Sequence, residues 1–364
     1  MKRLVYIVFL LALLSCEKDG RPVRESRLME FAVATPDVVT KAEVSMTQLT
    51  QATNNLYLYA AKSDGATSTP LVTAPGAFLR YDSDRKVWDA KSLKYEYSGG
   101  SYIQQEQNLE WEDDRYYTFY GYCYSTDAVV GSTLVIPSGT FGRQFTVTQP
   151  ADGDGSTTID YLLSSIYHVT PSFNYPLVPI ELEHAMARID VDVQIADAMF
   201  DQDNEPLIQD ITLSIAGIKR KATMLCQQPK SYGEDGTNTW YITFEEASTA
   251  SYTAQILNST VNLEGSDTNL DMSFIAVPVR NAEMADYVLT LEYNNVSKTG
   301  SATPKDYTYT FNLKDFSPSG WVNGHKVNYV LTIDNSIHLK GTVVDYQDVD
   351  YIESVLVPDI PGTK

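Results

Sequence analysis

The sequence predicts an all-β protein. Short runs of alternating apolar and polar residues recur along the chain, and Pro and Gly clusters separate them. Tyrosine, which suits half-buried strands, occurs 25 times against 12 Phe and 4 Trp. The spacing of the runs is that of sandwiches or barrels. Apolar residues make up 43% of the 364-residue chain, enough for a substantial core.

Met29, Phe31 and Val33 alternate with Glu30, Ala32 and Ala34, a first strand stopped at Pro36. Residues 55–60 (NLYLYA) predict a second. Gly76–Tyr81 and Lys86–Trp88 flank Asp82-Ser83-Asp84, a hairpin signature. Residues 115–124, dense in aromatics, read as a central strand, and 132–136, 144–148 and 160–169 follow. In the second half, 210–215, 240–244, 272–279, 287–293, 307–313, 327–333 and 337–344 read as strands. Residues 280–286 suit one turn or a short helix.

Residues 176–195 carry the most information. Val178, Ile180, Leu182, His184 and Met186 share one face, whereas further on Ile189, Val191, Val193 and Ile195 are apolar. A regular strand cannot change parity, because a slip of one residue turns every side chain over. A bulge, or a crossing from one sheet to another, is therefore expected between His184 and Ile189. This stretch is expected to open a second domain, giving domains over 28–175 and 176–364.

At the amino terminus Lys2 and Arg3 precede an apolar run over 4–14. It fits the core of a signal peptide and falls short of the roughly 20 residues that span a bilayer. The run ends Leu13-Leu14-Ser15-Cys16, which resembles the bacterial lipobox. Residues 1–15 are then a lipoprotein signal peptide, Cys16 is the lipidated first residue, and 16–27 form a tether. More than one lipid chain on Cys16 gives stable anchoring. Glu17 in place of Asp after that cysteine favours the outer membrane. The formal net charge of -20 argues against nucleic acid, which needs a basic patch, and fits solubility outside the cell. Cys123 and Cys226 are expected to be two buried thiols rather than a disulfide.

Catalytic and metal-binding patterns are not found. The histidines His168, His184, His325 and His338 have no metal-ligand spacing, and His184 reads as structural. No nucleophile elbow, phosphate loop or dinucleotide fingerprint occurs, so no cofactor is expected. Residues 152–156 (DGDGS) read as a turn, lacking most of a calcium loop. The carboxylate pairs Glu181/Glu183 and Asp190/Asp192 read as solvated edges. Trp88, Trp111 and the tyrosines, stacking on sugars, support an alternative as a surface glycan-binding lipoprotein.

Residues 182–191 (LEHAMARIDV) are similar to the His-Ala stretch of Bacteroidales fimbrillins and related fimbrial anchor proteins. Thr40-Lys41-Ala42, Asp160-Tyr161-Leu162-Leu163 and residues 321–329 (WVNGHKVNY) agree in order and spacing. The resemblance implies two tandem transthyretin-like β-sandwich domains and a structural or accessory subunit of a type V fimbria, located at the outer membrane and cell surface. It implies other fimbrial subunits, alike or different, as partners, and host or bacterial surface ligands in adhesion. It also implies maturation by cleavage after a basic residue; the matching position here is Lys41 where the family carries Arg, so either a Lys-tolerant protease acts or this is an uncleaved anchor or accessory subunit. Loss of the first strand opens a groove that an extended segment of another subunit fills. The candidate donor is the tail 349–364, with Tyr351, Glu353, Val355 and Val357 on one face; the other reading of this tail is a last strand of the second domain.

Overall fold

The structure is a computed structural model. It describes residues 27–34, 56–64, 68–70, 77–98, 101–124, 133–135, 143–170, 177–195, 208–228, 230–231, 239–244, 248–260, 271–295, 305–333 and 337–345. Cys16, Lys41 and the tail 349–364 lie outside these residues.

The chain is all-β, as its alternation predicts. The first half contains β1 (Glu30–Ala34), β2 (Tyr57–Ser63), β3 (Ser68–Pro70), β4 (Ala77–Asp82), β5 (Val87–Ser98), β6 (Ser101–Asn108), β7 (Tyr116–Tyr124), β8 (Thr133–Val135), β9 (Gln144–Thr148) and β10 (Tyr161–Val169). There follow β11 (Val178–Glu181), β12 (Glu183–His184), β13 (Ala187–Ile195), β14 (Ile208–Lys219), β15 (Lys221–Gln228), β16 (Lys230–Ser231), β17 (Thr239–Phe244) and β18 (Thr249–Thr260). The chain continues through β19 (Asp271–Ala276), β20 (Val288–Asn295), β21 (Lys305–Asn312), β22 (His325–Ile333) and β23 (Ile337–Asp345). The turn expected near 280–286 is a single 3-10 turn, Asn281–Glu283.

The amino-terminal sheet runs β11-β1-β5-β4-β2-β7-β10-β12, with β3, β6 and β16 alongside. Its two ends are one stretch of chain. β11 pairs with β1, and after Leu182 β12 pairs with β10. Residues 178–184 therefore close the sheet on itself around a core that includes Phe31, Trp88, Trp111, Phe119 and Ile180. Strand β7 is buried on both faces: Tyr117, Phe119 and Cys123 join that core, and Tyr120 and Tyr122 join another. Its continuous aromatic run suits such a position.

Beyond His184 the chain leaves this sheet. β13 lies between β19 and β22 in a four-stranded sheet, β19-β13-β22-β23. The expected crossing thus occurs at Ala185-Met186, where the apolar parity inverts. This sheet and a second, β18-β14-β20-β21, share a core that includes Ile189, Val191, Leu213, Leu289 and Leu331. A fourth sheet, β17-β15-β9-β8, contains Phe145, Val147, Met224 and Cys226, which pack with Tyr120, Tyr122, Tyr161 and Met186. It pairs β9 with β15, and β11 and β12 pair with amino-terminal strands, so sheet membership does not divide at residue 176.

Some strands escape the sequence reading. β15 carries a legible alternation, Ala222, Met224 and Cys226 buried against Lys221, Thr223 and Leu225. β6 (SYIQQEQN) and β18 (TASYTAQILNST) have weak apolar patterns, and their existence rests on pairing with β5 and β14. The reading of Asp190 as a solvated edge is corrected. β13 is an interior strand, and Asp190 bonds Arg188 at 2.9 Å, Lys326 at 2.6 Å and Ser273 at 2.7 Å. Burial pushes the Asp190 carboxyl up, but these hydrogen bonds outweigh it and hold the carboxyl below the usual aspartate value. Burial, followed by the charges of Asp190 and Asp271, raises Asp192 instead.

Candidate functional site

Strand β1 is short, and its apolar row is completely enclosed. Phe31 is 0% exposed, with Met29 and Val33 buried beside it. Their common face follows from the period of two. The Phe31 ring meets Phe119 edge-on at 5.0 Å between centroids, a preferred aromatic geometry. On one side β1 pairs antiparallel with β5, matching Glu30 to Asp89 and Phe31 to Trp88. On the other it pairs parallel with β11, matching Phe31 to Val178 and Val33 to Ile180. The Leu182 amide continues this contact by donating to the Ala34 carbonyl at 2.9 Å.

The two strands beside β1 are held unequally: β11 sits at the end of the sheet with β1 as its pairing partner. β5 is held by β4 and β6. β11 runs directly into β12, which pairs with β10. β1 thus lies in a slot between β5 and β11, with its apolar row on the core of the closed sheet.

The β12–β10 joint carries a polar lock. Nδ1 of His184 is bonded to Oδ2 of Asp160, and both side chains are almost fully buried. Sequence reasoning singled out Asp160 and His184 in separate motifs; the structure brings them together. Nearby Cys123, paired through its backbone with Leu162, has its thiol pushed up by burial and then by the Asp160 charge. Cys123 and Cys226 are both buried, in different cores, and form no disulfide, as expected.

The motif at 321–329 forms a second buried joint. The Trp321 indole donates to the Tyr329 hydroxyl at 2.9 Å, and that hydroxyl also bonds Ser317. His325, at the entry to β22, lies at the half-buried surface with Nδ1 2.9 Å from the Asn323 carbonyl. Residues 152–156 form the expected turn, Asp154 Oδ1 accepting the Ser156 amide at 2.9 Å. Among the described residues no group of three potential metal ligands occurs.

Trp88 and Trp111 are 0% and 2% exposed inside the closed sheet, so neither offers a face to a sugar. The two aromatics central to a glycan platform are core residues. What the sequence reading missed at the slot is Arg85, which pairs with Glu30 of β1 as well as with Asp82 and Asp89 on either side of its own turn. Its only sequence signal is its place in the Asp82–Lys86 turn.

The family model described as "Fimbrillin-like" matches residues 39–345. No curated protein matches the chain. Among solved structures, a fimbrial protein from Bacteroides vulgatus ATCC 8482 is similar at 13% identity and a TM-score of 0.44, over 87% of this chain and 99% of that one. A fimbrial assembly protein from Parabacteroides distasonis ATCC 8503 is similar at 11% identity and a TM-score of 0.36, over 89% of this chain and 98% of that one.

Proposed function

This chain belongs to the fimbrillin-like family, and from that membership we propose that it is a structural or accessory subunit of a type V fimbria that supports adhesion. Family membership implies a structural rather than a catalytic role. In this reading the chain is exported as a lipoprotein, held at the outer membrane through Cys16, and joined to other subunits by strand addition. The chain in this reading holds two β-sandwich domains, with the crossing near Ala185 and with β9 and β15 joined in a sheet to which both halves of the sequence contribute.

The observation that carries the reading is the seat of β1. It is a short strand at the amino-terminal end of the fold, placed between β5 and β11. Cutting after Lys41 would detach it from the rest of the chain. The vacated slot then offers backbone donors and acceptors for generic affinity and alternate pockets for register. Without that cut, the chain serves as an anchor or accessory subunit with β1 in place.

The donor in this reading is the tail 349–364. Its deletion is expected to leave a folded monomer and to stop polymerisation, read by size-exclusion chromatography and electron microscopy. Fibres formed by the truncated protein would show that the tail is not the donor. Mass spectrometry of protein from its native cells tests maturation: the first residue is lipidated Cys16 in an uncut subunit and Ala42 after cleavage.

A further inference from the structure

We propose that Arg85 makes the β1 slot selective for a strand that presents a carboxylate at the register position of Glu30, and that Glu353 of a second copy supplies it. This rests on the strand-addition reading and specifies the partner's chemistry.

Each nitrogen of the Arg85 guanidinium serves a different carboxylate. Nη1 meets Glu30 at 2.5 Å, Nη2 meets Asp89 at 2.6 Å and Nε meets Asp82 at 2.8 Å. The last two partners belong to β5 and β4, which stay when β1 leaves. The Asp82 carboxylate also accepts the amides of Asp84 and Arg85, both at 3.0 Å, and so shapes the turn that presents the guanidinium. The fork is therefore pre-placed, with one nitrogen directed at the slot.

Glu30 lies directly opposite Asp89 in the antiparallel pair, and both are buried, at 6% and 5% exposure. Like charges so placed repel unless a cation stands between them. Arg85 is that cation, and it turns a position that Asp89 would close to acids into one that accepts them. Lys91, 3.7 Å from Asp89, adds positive charge on the same strand.

The charge also solves a problem that apolar pockets leave open. Backbone bonds are blind to sequence, and alternation rejects only odd slips. A slip of two residues preserves both faces but moves a side chain about 7 Å along the strand, at roughly 3.4 Å per residue. That carries a carboxylate out of reach of Arg85. In the tail, Glu353 is flanked by Ile352, Ser354 and Leu356 on the opposite face. Setting Glu353 at the place of Glu30, in the direction of β1, puts Ile352 and Leu356 at the places of Met29 and Val33 but the small Ser354 at that of Phe31, so the carboxylate and not the Phe31 pocket would select this register.

The test uses the full-length protein, assembled in cells, with fibre yield and monomer melting as readouts. Glu353→Gln is expected to lower fibre yield several-fold and Glu353→Lys at least tenfold, with monomer melting unchanged. In the Arg85→Gln background, Glu353→Gln is expected to cause no further loss. Glu30→Gln should lower monomer melting when Arg85 is present and raise it in the Arg85→Gln background, where it relieves the repulsion with Asp89. Wild-type fibre yield from both Glu353 variants would overturn the selectivity while leaving strand addition intact. Fibres from protein lacking 349–364 would instead overturn the strand-addition reading itself.

Discussion

Removal of one partner from the Asp160–His184 pair should be among the most damaging single changes in the molecule. The side chains are 1% and 2% exposed, so water screens neither group. Breaking a buried pair by deleting one member costs about 3–5 kcal/mol, because the other is left uncompensated. Asp160→Ala and His184→Ala are each expected to fall in that range. With urea slopes of about 1–3 kcal/mol/M, the midpoint should drop by at least about 1 M. The double variant Asp160→Leu/His184→Leu should recover part of the loss, since replacing both partners with apolar groups is often close to neutral. With the single variants Asp160→Leu and His184→Leu the cycle closes and should give a coupling of about 1–3 kcal/mol. Asp113→Ala is the control: its partner Arg27 is 54% exposed and Asp113 59%, a pair worth about 0–1 kcal/mol. Urea unfolding followed by tryptophan fluorescence and circular dichroism measures all of these. Single variants costing less than 1 kcal/mol, or costs that simply add, would refute the idea that this pair locks β12 onto β10.

Phe31→Ala should cost about 3–5 kcal/mol of stability, the usual range for emptying a fully buried phenylalanine site, and should speed amide exchange in β1 beyond that in β7; equal acceleration in both strands would mean that β1 does not open on its own. Asp190→Asn and Asp192→Asn should have opposite signs at pH 7. The lowered Asp190 carboxyl contributes stability above the ordinary aspartate value of about 3.9, lost as pH falls through its folded value, so the penalty of Asp190→Asn should vanish in acid. The raised Asp192 carboxyl removes stability as pH rises through its titration, so Asp192→Asn should stabilise near neutrality. Denaturation curves between pH 2 and pH 7 check both, and a destabilising Asp192→Asn would contradict the assignment.

The extended class of the chain and most of its strands could be read from residue order, because alternation is a local property of neighbouring residues. Gln144–Thr148 and the β22 run show it in their burial. The inverted parity around Ala187 was legible for the same reason: one chain cannot present its apolar side chains to one sheet on both parities. Which strands became neighbours could not be read that way. No local pattern states that β9 pairs with β15, that 178–184 closes the first sheet, or that polar-faced β6 is a strand at all. The slot was hidden for that reason. Asp160 and His184 stood out as separate motifs, yet their bond spans 24 positions, and Arg85 acquires meaning only when Glu30, 55 positions away, is laid beside Asp89. Backbone pairing can join any two extended segments, so only burial and charge across the assembled sheet fix which pair forms.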